Sequence, residues 1–171
     1  HQVHIPRQQM VQWVAGSVRL LQGITDVILG EVRQSSYVQV DETPIKYQNP
    51  AHPGGSSQGY LWTGLVPRRG VYYQWHVSRA AGCVEQLLGK AFRGHLQCDG
   101  YSAYPVYARR RPEVHLVGCW AHARRYIYEA RQQEPRRVAI LLQLIGQLYG
   151  WESQWRKSRA GPRLREAERS A

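Results

Sequence analysis

The feature that most constrains this chain is the order in which short strand-like runs and helical stripes follow one another through its middle. Residues 37–40 alternate aromatic and β-branched side chains, the pattern of a short strand, and end on Asp41. Residues 49–58, with two Pro, two Gly and two Ser, predict a loop. Residues 60–66 and 71–77 read as strands joined by the turn Pro67-Arg68-Arg69-Gly70, an antiparallel hairpin. Residues 80–92 carry Val84, Leu87, Leu88 and Phe92 at helical spacing, with Gly94 as a stop. A strand at 95–98 ends on Asp99, and then come a helix at 101–111, a strand at 114–119 and an arginine-faced helix at 121–133. Before this block, Met10, Val14, Val18, Leu21, Ile24 and Ile28 fall three and four residues apart, predicting an amphipathic helix over 5–32 that starts near Pro6 and is weakened by Gly16, Gly23 and Gly30. After it, a stripe from Ile140 to Trp155 predicts a further helix over 138–155, followed by a charged, helix-prone tail over 156–171.

The order β, β, β, α, β, α, β, α predicts an α/β fold: a five-stranded mixed sheet with an N-terminal helix and a C-terminal helical segment, the layout of a ribonuclease H-like domain. Three segments are expected: a helical segment over 1–36, the core over 37–134, and a helical extension over 135–171. Fold by itself does not give function.

Charge narrows the partners. The 23 Lys+Arg against 12 Asp+Glu leave a formal net charge of +11. Residues 1–85 contribute +2 of this and residues 86–171 contribute +9, and twenty of the basic residues are Arg, whose planar fork pairs with phosphate oxygens. A nucleic acid faced by the second half is the expected polyanion. Three widely spaced cysteines, Cys83, Cys98 and Cys119, argue against a disulfide framework. No apolar run approaches the roughly 18 residues of a membrane span, so no membrane partner and a cytoplasmic, nucleoid-associated location are expected. A start at His1 with Met10 as the sole methionine leads us to expect a fragment.

The chain has three aspartates, Asp26 within the first predicted helix and Asp41 and Asp99 each directly after a strand. If the first and fourth strands lie side by side, both carboxylates project into one space, where two like charges call for a cation. Mg²⁺ (or Mn²⁺) takes such oxygen ligands, which makes Asp41 and Asp99 candidate metal ligands. The competing reading is that each aspartate only ends a strand or starts a turn.

Four blocks, in order, carry a resemblance: Val40-Asp41-Glu42-Thr43-Pro44-Ile45-Lys46, Gly59-Tyr60-Leu61-Trp62, Leu96-Gln97-Cys98-Asp99-Gly100-Tyr101-Ser102-Ala103-Tyr104, and Gly118-Cys119-Trp120-Ala121-His122-Ala123-Arg124-Arg125. Together with the loop HPGGSSQGYLW and Val77-Ser78-Arg79, they resemble the transposase of the insertion-sequence-66 family over nearly the whole chain. The resemblance implies a DDE-type enzyme in which two aspartates and a glutamate bind two Mg²⁺ ions and cut and join DNA during transposition; Asp41 and Asp99 match the two aspartates. It implies as partners the DNA of the element's ends and target, other proteins of the element, and further copies of the chain in a homo-oligomer. The family's glutamate lies well beyond the CWAHARR block, in an Asn-Asn…Glu-Arg segment, and no Asn-Asn pair occurs here. The chain is therefore expected to stop inside the inserted helical region.

Glu129, on the helix after the fifth strand, is the rival third carboxylate; its other reading is a surface pair with Arg124 or Arg125. Glu42 should face away from Asp41 by strand alternation and hydrogen-bond locally or pair with Lys46. Cys119 and His122 have a zinc-compatible spacing without a second ligand pair. His122, Arg124 and Arg125 at a helix start, and the run Arg109-Arg110-Arg111, are candidate DNA contacts, with a solvated helix face or an exposed loop as the alternatives. Trp62, Trp75 and Trp120 are expected in the core. Two other functions remain open on these residues: a catalytically inactive DNA-binding remnant, and a self-sufficient nuclease using Asp41, Asp99 and Glu129.

Overall fold

A computed structural model describes residues 4–163, 165 and 166; the tail expected from Arg156 onward lies outside the described residues at position 164 and beyond position 166. Contacts divide the chain into two units, His1–Gly118 and Cys119–Ala171.

In the first unit, helix α1 (Arg7–Gln34) follows Pro6, whose carbonyl accepts the Gln9 N–H at 2.9 Å. Proline suits this edge because a helix start has N–H groups without partners. Only the last turns of α1 enter the core, through buried Val32 and half-buried Leu29, while Met10, Val14, Val18, Leu21 and Ile24 of the predicted stripe are exposed.

Strand β1 (Tyr37–Gln48) pairs antiparallel with β2 (Ser56–Val66), from Gln39↔Leu65 to Gln48↔Ser56, and β2 pairs antiparallel with β3 (Gly70–His76). Strand β1 is longer than the predicted 37–40, and Asp41 lies inside it rather than at its end. The cause is pairing: β2 offers hydrogen-bond partners all the way to Gln48, which carry the strand through Pro44 and the polar residues around it.

Helix α2 (Ala81–Leu88) ends earlier than predicted, at Gly89 rather than Gly94. Gly89 takes φ +79°, and its N–H bonds to the Glu85 carbonyl at 2.7 Å, a helix end that glycine makes without steric cost. Gly94 has another duty. It opens β4 (Gly94–Cys98) at φ +128°, and a Cβ there would stand 2.3 Å from the Ser36 carbonyl oxygen. Helix α3 (Ala103–Ala108) and strand β5 (Val114–Gly118) complete the unit.

The strand order is β3-β2-β1-β4-β5, with β4 parallel to both β1 and β5. This is the five-stranded mixed α/β sheet predicted, with the ribonuclease H-like placement of the first and fourth strands side by side. One face is covered: Val38, Val40, Trp62, Val66, Leu96 and Val114 meet Val32 of α1, Val84, Leu87 and Leu88 of α2, and Tyr104 and Tyr107 of α3. Burying each of these large apolar side chains is worth about 1.5–3 kcal/mol.

In the second unit, α4 (Trp120–Glu129) runs into a short 3₁₀ turn (Ala130–Gln132), and α5 (Pro135–Lys157) starts on proline and buries Val138, Ile145 and Trp155. Of the three tryptophans expected in the core, only Trp62 is there; Trp75 and Trp120 are 42% and 55% exposed. Trp75 stands on the sheet face opposite the helices, packed edge-on against Tyr47 with ring centroids 5.4 Å apart. Trp120 lines an apolar cavity of about 460 Å³ with Ile145, Leu148, Tyr149 and Trp155. No helix among the described residues is long and apolar enough to cross a membrane.

Candidate functional site

Side chains along a strand alternate between the two faces of the sheet, and parallel neighbours at one level share a face. The β1–β4 ladder pairs Tyr37↔His95, Val38↔Leu96 and Gln39↔Gln97, an offset of 58 residues at each step. Asp41 and Asp99 each follow the last pair, Gln39↔Gln97, by two residues, so the two aspartates come from neighbouring parallel strands just past their pairing. Asp99 lies one residue past the end of β4, and Asp41, in step with Gln39, is on the face opposite the helices. That face also holds a polar row one level below: Gln39 donates to the Tyr37 hydroxyl at 2.9 Å, and Tyr37 donates to the Gln97 carbonyl oxygen.

Each aspartate is anchored by a backbone N–H. Asp41 is exposed, and its Oδ1 accepts the Glu42 N–H at 3.0 Å. Asp99 is half-buried just past β4, and its Oδ1 accepts the Tyr101 N–H at 2.8 Å, an Asx turn into α3. Their negative charges reach the Tyr104 hydroxyl. Burial is the main cause of the strong upward shift of the Tyr104 pKa, followed by its hydrogen bond to Glu42 and the charges of Glu42, Asp99 and Asp41.

Glu42 turns to the helix-covered face, as alternation predicts, but its partner is not Lys46. Its side chain is fully buried, with one carboxylate oxygen taking the Arg79 Nε–H at 2.6 Å and the other the Tyr104 hydroxyl. Lys46 stands four residues further along β1 and is exposed, whereas Arg79 enters from the segment before α2. Arg79 also lies 3.7 Å over the Tyr101 ring. Burial works against the Arg79 charge, yet the Glu42 hydrogen bond and charge, helped by Tyr101 and Asp99, raise its pKa. Sequence reasoning missed Arg79, Tyr101 and Tyr104 as parts of the site. Their signal was present, since all three lie in the segments that carried the family resemblance.

Two carboxylates carried just past the pairing of adjacent parallel strands have the donor chemistry of a hard divalent cation site. Mg²⁺ and Mn²⁺ take oxygen donors, and Mg²⁺ is commonly held by one or two carboxylates, with waters and substrate phosphates filling the shell. Among the described residues no cluster of three His, Cys, Asp or Glu is assembled. Glu129 belongs to the second unit, where it lies 3.9 Å from Arg125 at i,i+4 spacing with both side chains exposed.

The candidate arginines differ among themselves. Arg111 pairs with Glu85 at 2.7 Å, donates to the Tyr107 carbonyl at 2.6 Å and stacks 4.2 Å over the Tyr107 ring, so it ties α3 to α2. Arg109 and Arg110 are exposed at the end of α3. In the second unit, Arg124 and Arg125 are exposed on α4 and His122 is half-buried in its first turn.

A family model described as "Transposase IS66 family" matches residues 1–171. An uncharacterized protein of Sinorhizobium fredii, y4qI, is 34% identical over 142 residues, covering 74% of this chain and 26% of that protein. A second protein of the same organism, y4jD, is 29% identical over 157 residues, covering 84% of this chain and 30% of its own length. The chain thus spans between a quarter and a third of these curated relatives. No solved structure matches it.

Proposed function

Starting from a chain that belongs to the IS66 transposase family, we propose that its first unit carries two of the three carboxylates of a DDE-type centre for metal-dependent DNA strand cleavage and transfer. The observation that supports this reading is the parallel pairing of β1 with β4, whose last pair, Gln39↔Gln97, lies two residues before Asp41 on one strand and two before Asp99 on the other. These two residues would hold Mg²⁺ or Mn²⁺, which when bound would bring the attacking and leaving oxygens of a phosphoryl displacement together and offset their charge. The chain's own part is to present two anchored carboxylates on a rigid sheet, open on the side where a DNA strand would arrive. The third carboxylate is assigned to sequence outside these 171 residues, with Glu129 as the rival. The exposed Arg109, Arg110, Arg124 and Arg125, with His122, supply phosphate contacts to the DNA of the element's ends and target.

The test titrates Mn²⁺ and labelled duplex DNA into the full chain, comparing wild type with Asp41→Asn and Asp99→Asn. Weaker Mn²⁺ binding in both variants, with duplex binding that falls steeply with salt and no cutting, is the expected result. Equal Mn²⁺ affinity in all three proteins would overturn the assignment. Metal-dependent cutting abolished by Glu129→Gln would transfer the third role to Glu129.

A further inference from the structure

The two N–H groups that anchor the aspartates belong to Glu42 and Tyr101, and these two residues are joined to each other through one side chain. Arg79 pairs with the Glu42 carboxylate on one side, and its guanidinium plane lies 3.7 Å over the Tyr101 ring on the other. Arg79 is itself held. The preceding residue, Ser78, accepts the Trp62 indole N–H on its carbonyl at 3.3 Å, and its hydroxyl accepts the Ala80 N–H at 3.1 Å. Trp62 is fully buried and stands opposite Glu42 across the β1–β2 ladder, so the arginine is braced from the strand next to the one it grips. Tyr104 completes the brace from α3: its hydroxyl bonds Glu42 and its ring meets Tyr101 edge-on at 6.5 Å.

We propose that Arg79 is a positioning residue for the aspartate pair: by pairing with Glu42 and stacking on Tyr101 it holds at fixed spacing the two backbone N–H groups on which Asp41 and Asp99 rest. The inference builds on the reading of that pair as metal-holding. The physical need is clear. The β1–β4 ladder stops at Gln39↔Gln97, two residues short of the aspartates, so no backbone pairing between these strands sets their separation. A rigid, planar, always-charged fork that grips a buried carboxylate and lies flat on an aromatic ring supplies that constraint from the covered side of the sheet. Lysine keeps the charge but neither the second hydrogen bond nor the stacking plane.

The experiment follows backbone amide signals in the ¹⁵N-labelled full chain, with Mn²⁺ as the metal probe. In Arg79→Lys, the Glu42 and Tyr101 amides should both shift and exchange with solvent at least ten-fold faster, while the amides of β4 keep their wild-type rates. Mn²⁺ affinity should fall about ten-fold, with no further loss when the change is made in an Asp99→Asn background. Tyr101→Leu, which removes the stacking face and keeps the ion pair, should loosen the Tyr101 amide and leave that of Glu42. A purely structural Arg79 would lower the thermal midpoint of Arg79→Lys while leaving both amides and the Mn²⁺ affinity as in wild type, and that outcome overturns the proposal. Should wild type fail to bind Mn²⁺ at all, the metal reading falls, and the two amide signals still decide whether Arg79 positions the pair.

Discussion

Asp41 and Glu42 are consecutive residues on β1, and they occupy opposite chemical environments. Glu42 is sealed under α3, its charge matched by Arg79 and its second oxygen by Tyr104, whereas Asp41 stands exposed on the other face with a backbone N–H as its anchor. The same contrast extends across the sheet. The covered face packs Val38, Val40, Trp62 and Leu96 against helices; the opposite face carries Gln39, Asp41, Thr63 and Gln97, flanked by exposed Tyr73 and Trp75 on β3. A carboxylate taken out of water has to spend its oxygens on the protein itself, because an unpaired buried charge is costly. The exposed one stays in reach of solvent. One face therefore builds the fold and the other carries the exposed carboxylate proposed for the chemistry, and the two are linked through the backbone of residues 41–42.

The largest blow to this arrangement should come from Gly94→Ala. Its Cβ would stand 2.3 Å from the Ser36 carbonyl oxygen at a backbone angle that alanine rarely adopts, where β1 and β4 set their register. A loss on the order of 4 kcal/mol in urea unfolding is expected, strain and steric repulsion together. Glu42→Ala against Asp41→Ala then splits the two faces directly. Removing Glu42 strands Arg79 and the Tyr104 hydroxyl and should cost about 2–3 kcal/mol, discounted because Arg79 keeps 37% of its side chain in solvent. Removing Asp41 should cost about 1 kcal/mol or less while weakening Mn²⁺ binding. Similar stability losses for the two variants would break the comparison.

Tyr104→Phe sharpens it from the covered side, with an expected loss of about 1 kcal/mol from one buried hydrogen bond. It also carries a pH signature. Burial first, and then Glu42, raise the folded-state pKa of Tyr104 above its ordinary 10.0. An acid shifted upward contributes stability that is intact while both states are protonated and is lost as pH climbs past the unfolded value. Wild type should therefore lose stability above about pH 10 more steeply than Tyr104→Phe, as read by unfolding midpoints across pH 8–11. The smallest effect is expected at the hairpin tip. Arg68 sits at φ +66° after Pro67, a position suited to glycine, and Arg68→Gly should raise stability by about 0.5 kcal/mol with no change on either face.

Much of the fold was legible from periodicity. The strands of the hairpin and the two that deliver aspartates were found near their true positions, because alternation and β-branching report directly on a half-buried pleat. Boundaries were less legible. Residues 41–48 of β1 carry Asp, Glu, Thr, Pro and Lys, a weak strand sequence held in place by pairing with β2. Helix α2 stopped at Gly89, one of two glycines within reach, and only the strain at Gly94 explains why the second was needed elsewhere. Within the site, both aspartates were expected directly after strands, which holds for Asp99, whereas Asp41 lies inside β1; that Glu42 faces away from Asp41 followed from alternation. Arg79 could not be paired with Glu42, because 37 residues separate them and charge pairing leaves no local periodic trace.

The sequence alone determined the element order, the residues proposed for the chemistry, the basic bias of the second half and the motifs of the family, since each is written in local pattern or composition. Tertiary structure alone decided which carboxylate became a buried ion pair and which stayed exposed, and which arginine meets the buried one. Those outcomes depend on sheet register and on helices brought together across tens of residues, and burial assigns a charge its cost only once those contacts exist.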